Sequence, residues 1–118
     1  MAQYEHLPVY KKAMDLAVYI ENVVKGFSRY HKYTIGADLR NLSREVVKLI
    51  IVANSREDKL QSLTELRDMI EQLKVTIIIC KEVKALRSFN SFQNAAEAAV
   101  SLSRQSEGWI KSIKQRNR

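Results

Sequence analysis

The chain contains 118 residues, 46% of them apolar, and its 20 Lys and Arg residues outweigh 13 Asp and Glu residues to give a formal net charge of +7. This length and apolar content suffice for one core, so we expect a single domain over residues 1–118. A single cysteine excludes an intrachain disulfide, and no run approaches the ~18 uncharged apolar residues of a transmembrane helix.

The N-terminal segment lacks the apolar core of a signal peptide, which predicts a cytoplasmic protein without a membrane partner. Pro8 is the only proline and suits the first turn of a helix, where a missing N–H costs nothing. Apolar residues then recur at helical spacing through Leu16, Ile20, Val24 and Phe27. The first predicted helix covers residues 8–30.

Residues 28–36 show no apolar period and form a predicted connection, in which Thr34 can cap the following helix. Alternating three- and four-residue steps from Leu39 to Ala53 predict a second helix over 35–54. Ser55 and Asp58 resemble a capping box, which indicates a short turn and antiparallel neighbours.

The third predicted helix covers residues 56–88 and the fourth covers 91–115, each with an apolar ladder of its own. The β-branched run 75–79 favours a strand when taken alone, but its flanks rich in Leu, Glu and Lys favour a long helix. The fold class predicted is all-α, an antiparallel up-down-up-down four-helix bundle.

The second and third predicted helices carry more apolar residues than one core-facing stripe can use. A contiguous exposed patch of this kind marks an interaction surface, and self-association is its simplest use. The alternative is that these two helices lie centrally and pack on both sides. The predicted oligomer interface consists of Val47, Ile50, Ile51, Val75, Ile78 and Ile79.

The sequence offers little for catalysis. His6 and His31 have no ligand partner at helical spacing, and the chain has no Gly-rich phosphate loop or nucleophile signature. We therefore expect no catalytic residue, no metal and no cofactor.

Basic residues cluster on the predicted helices, as is typical of proteins that bind nucleic acid through its phosphates. The alternative is that they are solvated faces, or complement helix dipoles. Tyr30, Tyr33, Phe89 and Phe92 could stack on bases, or could staple the connections to the core. The predicted nucleic-acid-binding residues are Arg40, Arg44, Lys48, Lys74, Lys81, Lys84, Arg87, Lys111, Lys114 and Arg116.

Four segments carry a family resemblance: residues 7–13 (LPVYKKA), 33–39 (YTIGADL), 49–54 (LIIVAN) and 107–110 (EGWI). With them the chain resembles the bacterial four-helix bundle proteins of 23S rRNA intervening sequences. Within that group it is most similar to the Avd accessory proteins of diversity-generating retroelements. The resemblance covers nearly the whole chain.

The resemblance implies a homopentameric ring whose positive surface engages nucleic acid, RNA or RNA/DNA, and a reverse transcriptase. It places basic positions at Arg40, Arg44, Lys48, Lys74, Lys81 and Lys84. The function expected is therefore that of a non-enzymatic accessory protein of a reverse transcriptase. The alternative is a homo-oligomeric protein-protein interaction scaffold of the intervening-sequence family with no retroelement role.

Overall fold

The computed structural model describes residues 4–116, which form helices and connections without a strand. A short 3-10 helix, Tyr4–His6, precedes five α-helices. The predicted all-α fold class is confirmed, and the β-branched run 75–79 is helical. The α-helices are α1 (Pro8–Lys25), α2 (Arg29–Tyr33), α3 (Ile35–Ser55), α4 (Lys59–Glu82) and α5 (Phe89–Arg116).

The first predicted helix, 8–30, is divided in the structure. Pro8 occupies the first turn as expected. However, α1 ends at Lys25, and the N–H of Gly26 donates a hydrogen bond to the carbonyl of Val23 at 3.0 Å. Ser28 then caps a new helix, since its hydroxyl accepts a hydrogen bond from the N–H of His31 at 3.4 Å. The predicted connection therefore contains α2, because Ser28 supplies the cap that restarts the helix.

The third predicted helix also ends earlier than expected, at Glu82 instead of residue 88. Lys84 adopts a left-handed conformation with φ of 62°, and the N–H groups of Ala85 and Leu86 both donate to the carbonyl of Cys80. Such a closure satisfies the last carbonyls of a helix and redirects the chain. Ser88 then caps the next helix, so α5 begins at Phe89, two residues before the prediction.

The four long helices pack around one core. α1 contacts α3 and α5, and α4 also contacts α3 and α5. Each of the four contributes one apolar stripe to a common core, and the body measures 49 × 24 × 20 Å. None of the helices in the described range is both long enough and apolar enough to cross a membrane. The largest fully buried side chains are Ile20, Leu39, Ile50, Leu63, Leu66, Ile70, Leu73, Ile77 and Leu102.

Candidate nucleic-acid interface

The three predicted cations of α3 lie beside carboxylates. Arg40 and Arg44 both form ion pairs with Glu21 of α1, and Arg40 Nε lies 3.2 Å from Oε2 of Glu21. Lys48 lies 3.9 Å from Glu45, one turn away on its own helix. Because opposite charges this close offset one another, the α3 stripe presents less net positive charge than its spacing predicts.

Arg40 is the least exposed member of this group, with only 23% of its side chain accessible. Its Nε is buried and makes no hydrogen bond, because the nearby carboxylate of Glu21 lies out of line with the N–H. We call the cluster of Glu21, Arg40 and Arg44 the α1–α3 seam. Its arginines hold two helices together and are only partly available to a ligand.

The predicted cations of α4 and of the following connection have different environments. Lys74 pairs with Glu71 at 3.0 Å, and Lys81 lies over the ring of Phe92 on α5, 4.9 Å from its centroid. Lys84 is exposed beside its left-handed turn. These residues therefore differ in how freely they can meet a phosphate.

Arg87 joins two connections that are distant in sequence. Its Nε donates a hydrogen bond to the carbonyl of Gly26, so the α4–α5 connection lies against the α1–α2 connection. We call this end of the molecule the connection end, formed by residues 25–34 and 81–92. It brings Arg87, Lys84 and Lys81 together with the cations of α2 and the end of α1.

The connection end is strongly basic. Residues 25–34 contain Lys25, Arg29 and Lys32 and no acid, and residues 81–92 contain three cations against Glu82. Within residues 4–116, none of these six cations takes part in an ion pair. Six cations in these two segments, against Glu82 and the neighbouring Asp38 of α3, produce a local positive field that the α1–α3 seam does not have.

Exposed aromatic side chains accompany this charge. Tyr30 is 73% exposed, Tyr33 70% and Phe89 66%, whereas Phe92 is half-buried beneath Lys81. A staple would bury these rings against the core, so the stapling alternative fits Phe92 and does not fit the other three. The connection end thus offers both cations and free aromatic faces.

A cleft of about 390 Å³ opens between α2 and α4 at the same end. Tyr30 and Tyr33 line one side and Ile79 and Val83 the other, while Asp38 contributes a carboxylate from α3. The cleft therefore has mixed walls, with aromatic and aliphatic side chains beside the polar His31 and Thr34 and one acid.

The predicted cations at the far end of α5 are separate from this group. Lys111 and Lys114 line a shallow depression of about 320 Å³ together with Glu107, and Arg116 is exposed at the end of the described helix. Arg67 of α4 reaches the same Glu107 at 3.9 Å. The structure does not bring these three cations to the connection end, where the α1–α2 and α4–α5 connections meet.

Comparison with known families agrees with the quoted sequence segments. The bAvd-like family matches residues 7–113. The chain belongs to this family. Family membership confirms the resemblance predicted from sequence and indicates an accessory protein of diversity-generating retroelements. No curated protein matches the chain.

The predicted oligomer interface of this bAvd-like protein divides between core and surface. Ile50 is fully buried and Val47 nearly so, and both pack within the core of the chain, so neither is available to a second copy. Ile51 is half-buried against the core. Val75, Ile78 and Ile79 of α4 are 53%, 50% and 41% exposed, and of the six predicted interface residues these three are the exposed ones.

Cys80 is a buried thiol on α4. Burial, with a smaller contribution from the negative charge of Asp38, raises its pKa to about 11. The thiolate is therefore scarce near neutral pH, and the side chain behaves as a small hydrophobe. Among residues 4–116 no cluster of three His, Cys, Asp or Glu side chains could hold a metal ion.

The predicted binding residues do not include Lys25, Arg29 and Lys32, because these lie outside a helical stripe; sequence reasoning noted Arg29 and Lys32 only as neighbours of the aromatic residues that could stack on bases. The available signal was the run 25–34, which contains three cations, two tyrosines and no acid. It also missed Glu21 as the partner of two arginines, since an acid on another helix leaves no trace in local spacing.

Proposed function

We propose that this bAvd-like protein is a non-enzymatic, nucleic-acid-binding accessory protein that assembles into a homo-oligomeric ring, a pentamer, and assists the reverse transcriptase of a diversity-generating retroelement in the bacterial cytoplasm. Family membership supports the retroelement role. The observation that carries nucleic-acid binding is the connection end, with its six cations outside the ion pairs of the described chain.

The fold underlying this function is, in our proposal, one antiparallel up-down-up-down four-helix bundle spanning residues 1–118. The start of α1 lies beside the end of α5, where Pro8 and Trp109 line one groove, and Asn94 near the start of α5 donates a hydrogen bond from Nδ2 to the hydroxyl of Tyr19. Neighbouring residues of the other adjacent pairs support the same reversal in this proposal. These are Glu21 with Arg40, Gly36 with Val24, Arg67 with Glu107, and Lys81 with Phe92, while Ile35 and Ile79 line one cleft.

Phosphate contacts supply the binding energy in this proposal. Lys25, Arg29, Lys32, Lys84 and Arg87 approach the nucleic-acid backbone, and each neutralised phosphate releases condensed counterions. Such contacts need no base sequence. Repetition around a ring multiplies the field of one connection end.

The experiment is a titration of the purified chain with a fluorescently labelled, structured RNA at a series of salt concentrations. We expect the logarithm of the association constant to fall linearly with the logarithm of the salt concentration, with a slope of about −0.7 to −0.9 for each phosphate contacted. No binding at low salt, or an affinity that does not depend on salt, contradicts the proposal.

Self-association is assigned to the exposed apolar face of α4 around Val75 and Ile78. Val18 on α1 provides a matched control, because Val18 and Val75 are each 53% exposed. We expect V75D to dissociate the oligomer in sedimentation velocity and V18D to leave it intact. Equal behaviour of the two variants contradicts the placement of the interface, and a wild-type chain that sediments as one protomer contradicts the ring.

A second candidate is a protein-protein interaction scaffold, favoured by the same exposed face of α4. In this case a different protein covers Val75 and Ile78, and the positive charge only aids solubility. Capture of a protein partner from nuclease-treated lysate, lost in V75D and retained in V18D, together with no affinity for RNA, would favour the scaffold over the accessory protein.

A further inference from the structure

The cleft between α2 and α4 has walls that suit a planar aromatic ring. Tyr30 and Tyr33, three residues apart on one helix, are the two most exposed large apolar side chains of the described chain. Two contacts within residues 30–34 stabilise this short helix, since Thr34 Oγ1 donates to the carbonyl of Tyr30 at 2.7 Å and the ring of Tyr30 meets His31 edge-on at 5.4 Å. The tyrosine rings therefore belong to a locally stabilised helix and are not buried in the core.

Charge separates the inside of the cleft from its surroundings. Asp38 lines the cleft, and its carboxylate repels a phosphate but accepts hydrogen bonds from the N–H groups of a base. Arg29 and Lys32 lie beside the tyrosines in sequence, and Lys84 follows Val83 of the opposite wall. The arrangement has an interior with aromatic, aliphatic and polar side chains and one acid for a base, and cations around it for the backbone.

Resting on the nucleic-acid-binding function proposed above, we propose that this cleft binds an unpaired base of single-stranded RNA, stacked on Tyr30 or Tyr33 with its N–H edge toward Asp38, while Arg29, Lys32 and Lys84 contact the flanking phosphates. Bases within a duplex are stacked and paired, so they cannot enter the cleft. The protein therefore prefers unpaired segments, as aromatic platforms in single-strand-binding proteins do.

A second copy of the chain is the competing occupant of this cleft. In a ring the cleft would meet a different surface of the next copy, and a copy with a net charge of +7 would bring positive charge against Arg29 and Lys32. That repulsion is absent when the occupant is a polyanion, which is why we favour RNA.

The test compares three labelled ligands of equal length: single-stranded RNA, the corresponding duplex, and a strand with the same phosphates but no bases. We expect the wild-type chain to bind the single strand about ten- to a hundredfold more tightly than the base-free strand, which is the contribution of one stacked base. The duplex should bind more weakly than the single strand. These comparisons need no variant and so do not depend on mutant folding.

The variant for this test is Y30L/Y33L, which keeps apolar side chains but removes the aromatic faces. We expect its affinity for the single strand to fall about tenfold or more, to the level of the base-free strand, with affinity for duplex and base-free strand unchanged. F89L is the matched control, since Phe89 is comparably exposed and does not line the cleft. It should leave all three affinities unchanged.

Failure of this inference is distinct from failure of the proposed function. Equal affinity for all three ligands, or an unchanged single-strand affinity in Y30L/Y33L, overturns the base-binding cleft and leaves phosphate binding intact. Absence of RNA binding overturns both. If Y30L/Y33L instead changes the sedimentation coefficient and weakens all three ligands equally, a second copy of the chain occupies the cleft.

Discussion

The α1–α3 seam and the connection end contain the same kinds of residue in opposite roles. At the seam, Arg40 and Arg44 share the carboxylate of Glu21, and one guanidinium is largely enclosed between two helices. At the connection end, Lys25, Arg29 and Lys32 follow one another with no acid between them and no ion pair in the described chain. The tertiary partner, not the spacing, decides which arginine is structural and which is free.

The comparison also separates two uses of aromatic residues. Phe27 is buried at the end of α1 and packs in the core, while Tyr30 and Tyr33, only a few residues later, lie in solvent. The break in the helix after Lys25 produces this difference, because α2 starts in a new direction and carries its tyrosines away from the core. A continuous helix over 8–30 would have placed Tyr30 three residues after Phe27, on the same face of that helix.

The largest effect that we expect separates the two groups of cations. At about 0.1 M salt, K25Q/R29Q/K32Q should lower affinity for single-stranded RNA about a hundredfold, and reduce the salt slope by about 2, because three phosphate contacts are lost. The matched variant R40Q/R44Q/K48Q should lower it less than about threefold. A salt titration of both variants measures the difference. A larger loss of RNA affinity in R40Q/R44Q/K48Q than in K25Q/R29Q/K32Q would contradict it.

A second effect concerns the packing that fixes the connection end. A Cβ on Gly36 would lie 2.8 Å from the carbonyl oxygen of His31 and 2.9 Å from Cγ1 of Val24, so G36A should destabilise the chain by about 1–3 kcal/mol.

G108A is the matched control, because a Cβ there meets nothing within 4 Å, and it should stabilise the interior of α5 by about 0.5–1 kcal/mol. Urea unfolding followed by circular dichroism measures both free energies. The same sign for the two variants would contradict the close packing of Gly36.

A third effect tests the structural role of the seam. E21Q removes the charge that neutralises two arginines, and we expect it to lower the free energy of unfolding by about 1 kcal/mol. A fully buried charged pair would contribute more, but these side chains are partly solvated. Its affinity for RNA should rise slightly as the arginines are released.

The control for E21Q is D15N, which breaks the exposed Lys11–Asp15 pair at 3.8 Å and should change stability by less than about 0.5 kcal/mol. Urea unfolding and RNA titration of both variants provide the two readouts. Unchanged stability in E21Q would show that the seam is as solvated as an ordinary surface ion pair.

The smallest effect is expected for the link between the two connections. R87A removes the exposed hydrogen bond from Arg87 to the carbonyl of Gly26. We expect this to lower the free energy of unfolding by about 0.5–1 kcal/mol. Amide hydrogen exchange should accelerate in residues 26–34 of R87A and remain unchanged there in R104A, whose arginine is exposed on α5. Unchanged exchange in R87A would show that the connections meet without its help.

Sequence periodicity predicted the buried residues of α4 well and the exposed apolar residues of α3 and α4 less well. Leu63, Leu66, Ile70, Leu73 and Ile77 are all fully or almost fully buried, as their ladder predicts. On α3 the predicted surplus of apolar residues is smaller, because Val47 and Ile50 also pack in the core. A helix enclosed by neighbours on two sides buries a wider stripe than one seam, which local spacing cannot reveal.

Half of the candidate site was visible in the sequence. Lys81, Lys84 and Arg87 were predicted as binding residues, and the structure places them at the connection end. Lys25, Arg29 and Lys32 lie 49 to 62 residues earlier in the chain, and only the folded core brings the two groups together. Spacing along one helix therefore could not connect the two groups.

By itself the sequence determined the helical class, the approximate helix positions and the family, because apolar periodicity and short segment motifs are local properties. Only the tertiary structure decided which cations are neutralised, which isoleucines are buried, and that two distant connections form one basic, aromatic end. The physical reason is that charge pairing and burial depend on the neighbouring helix, and the identity of that neighbour follows from packing of the whole chain.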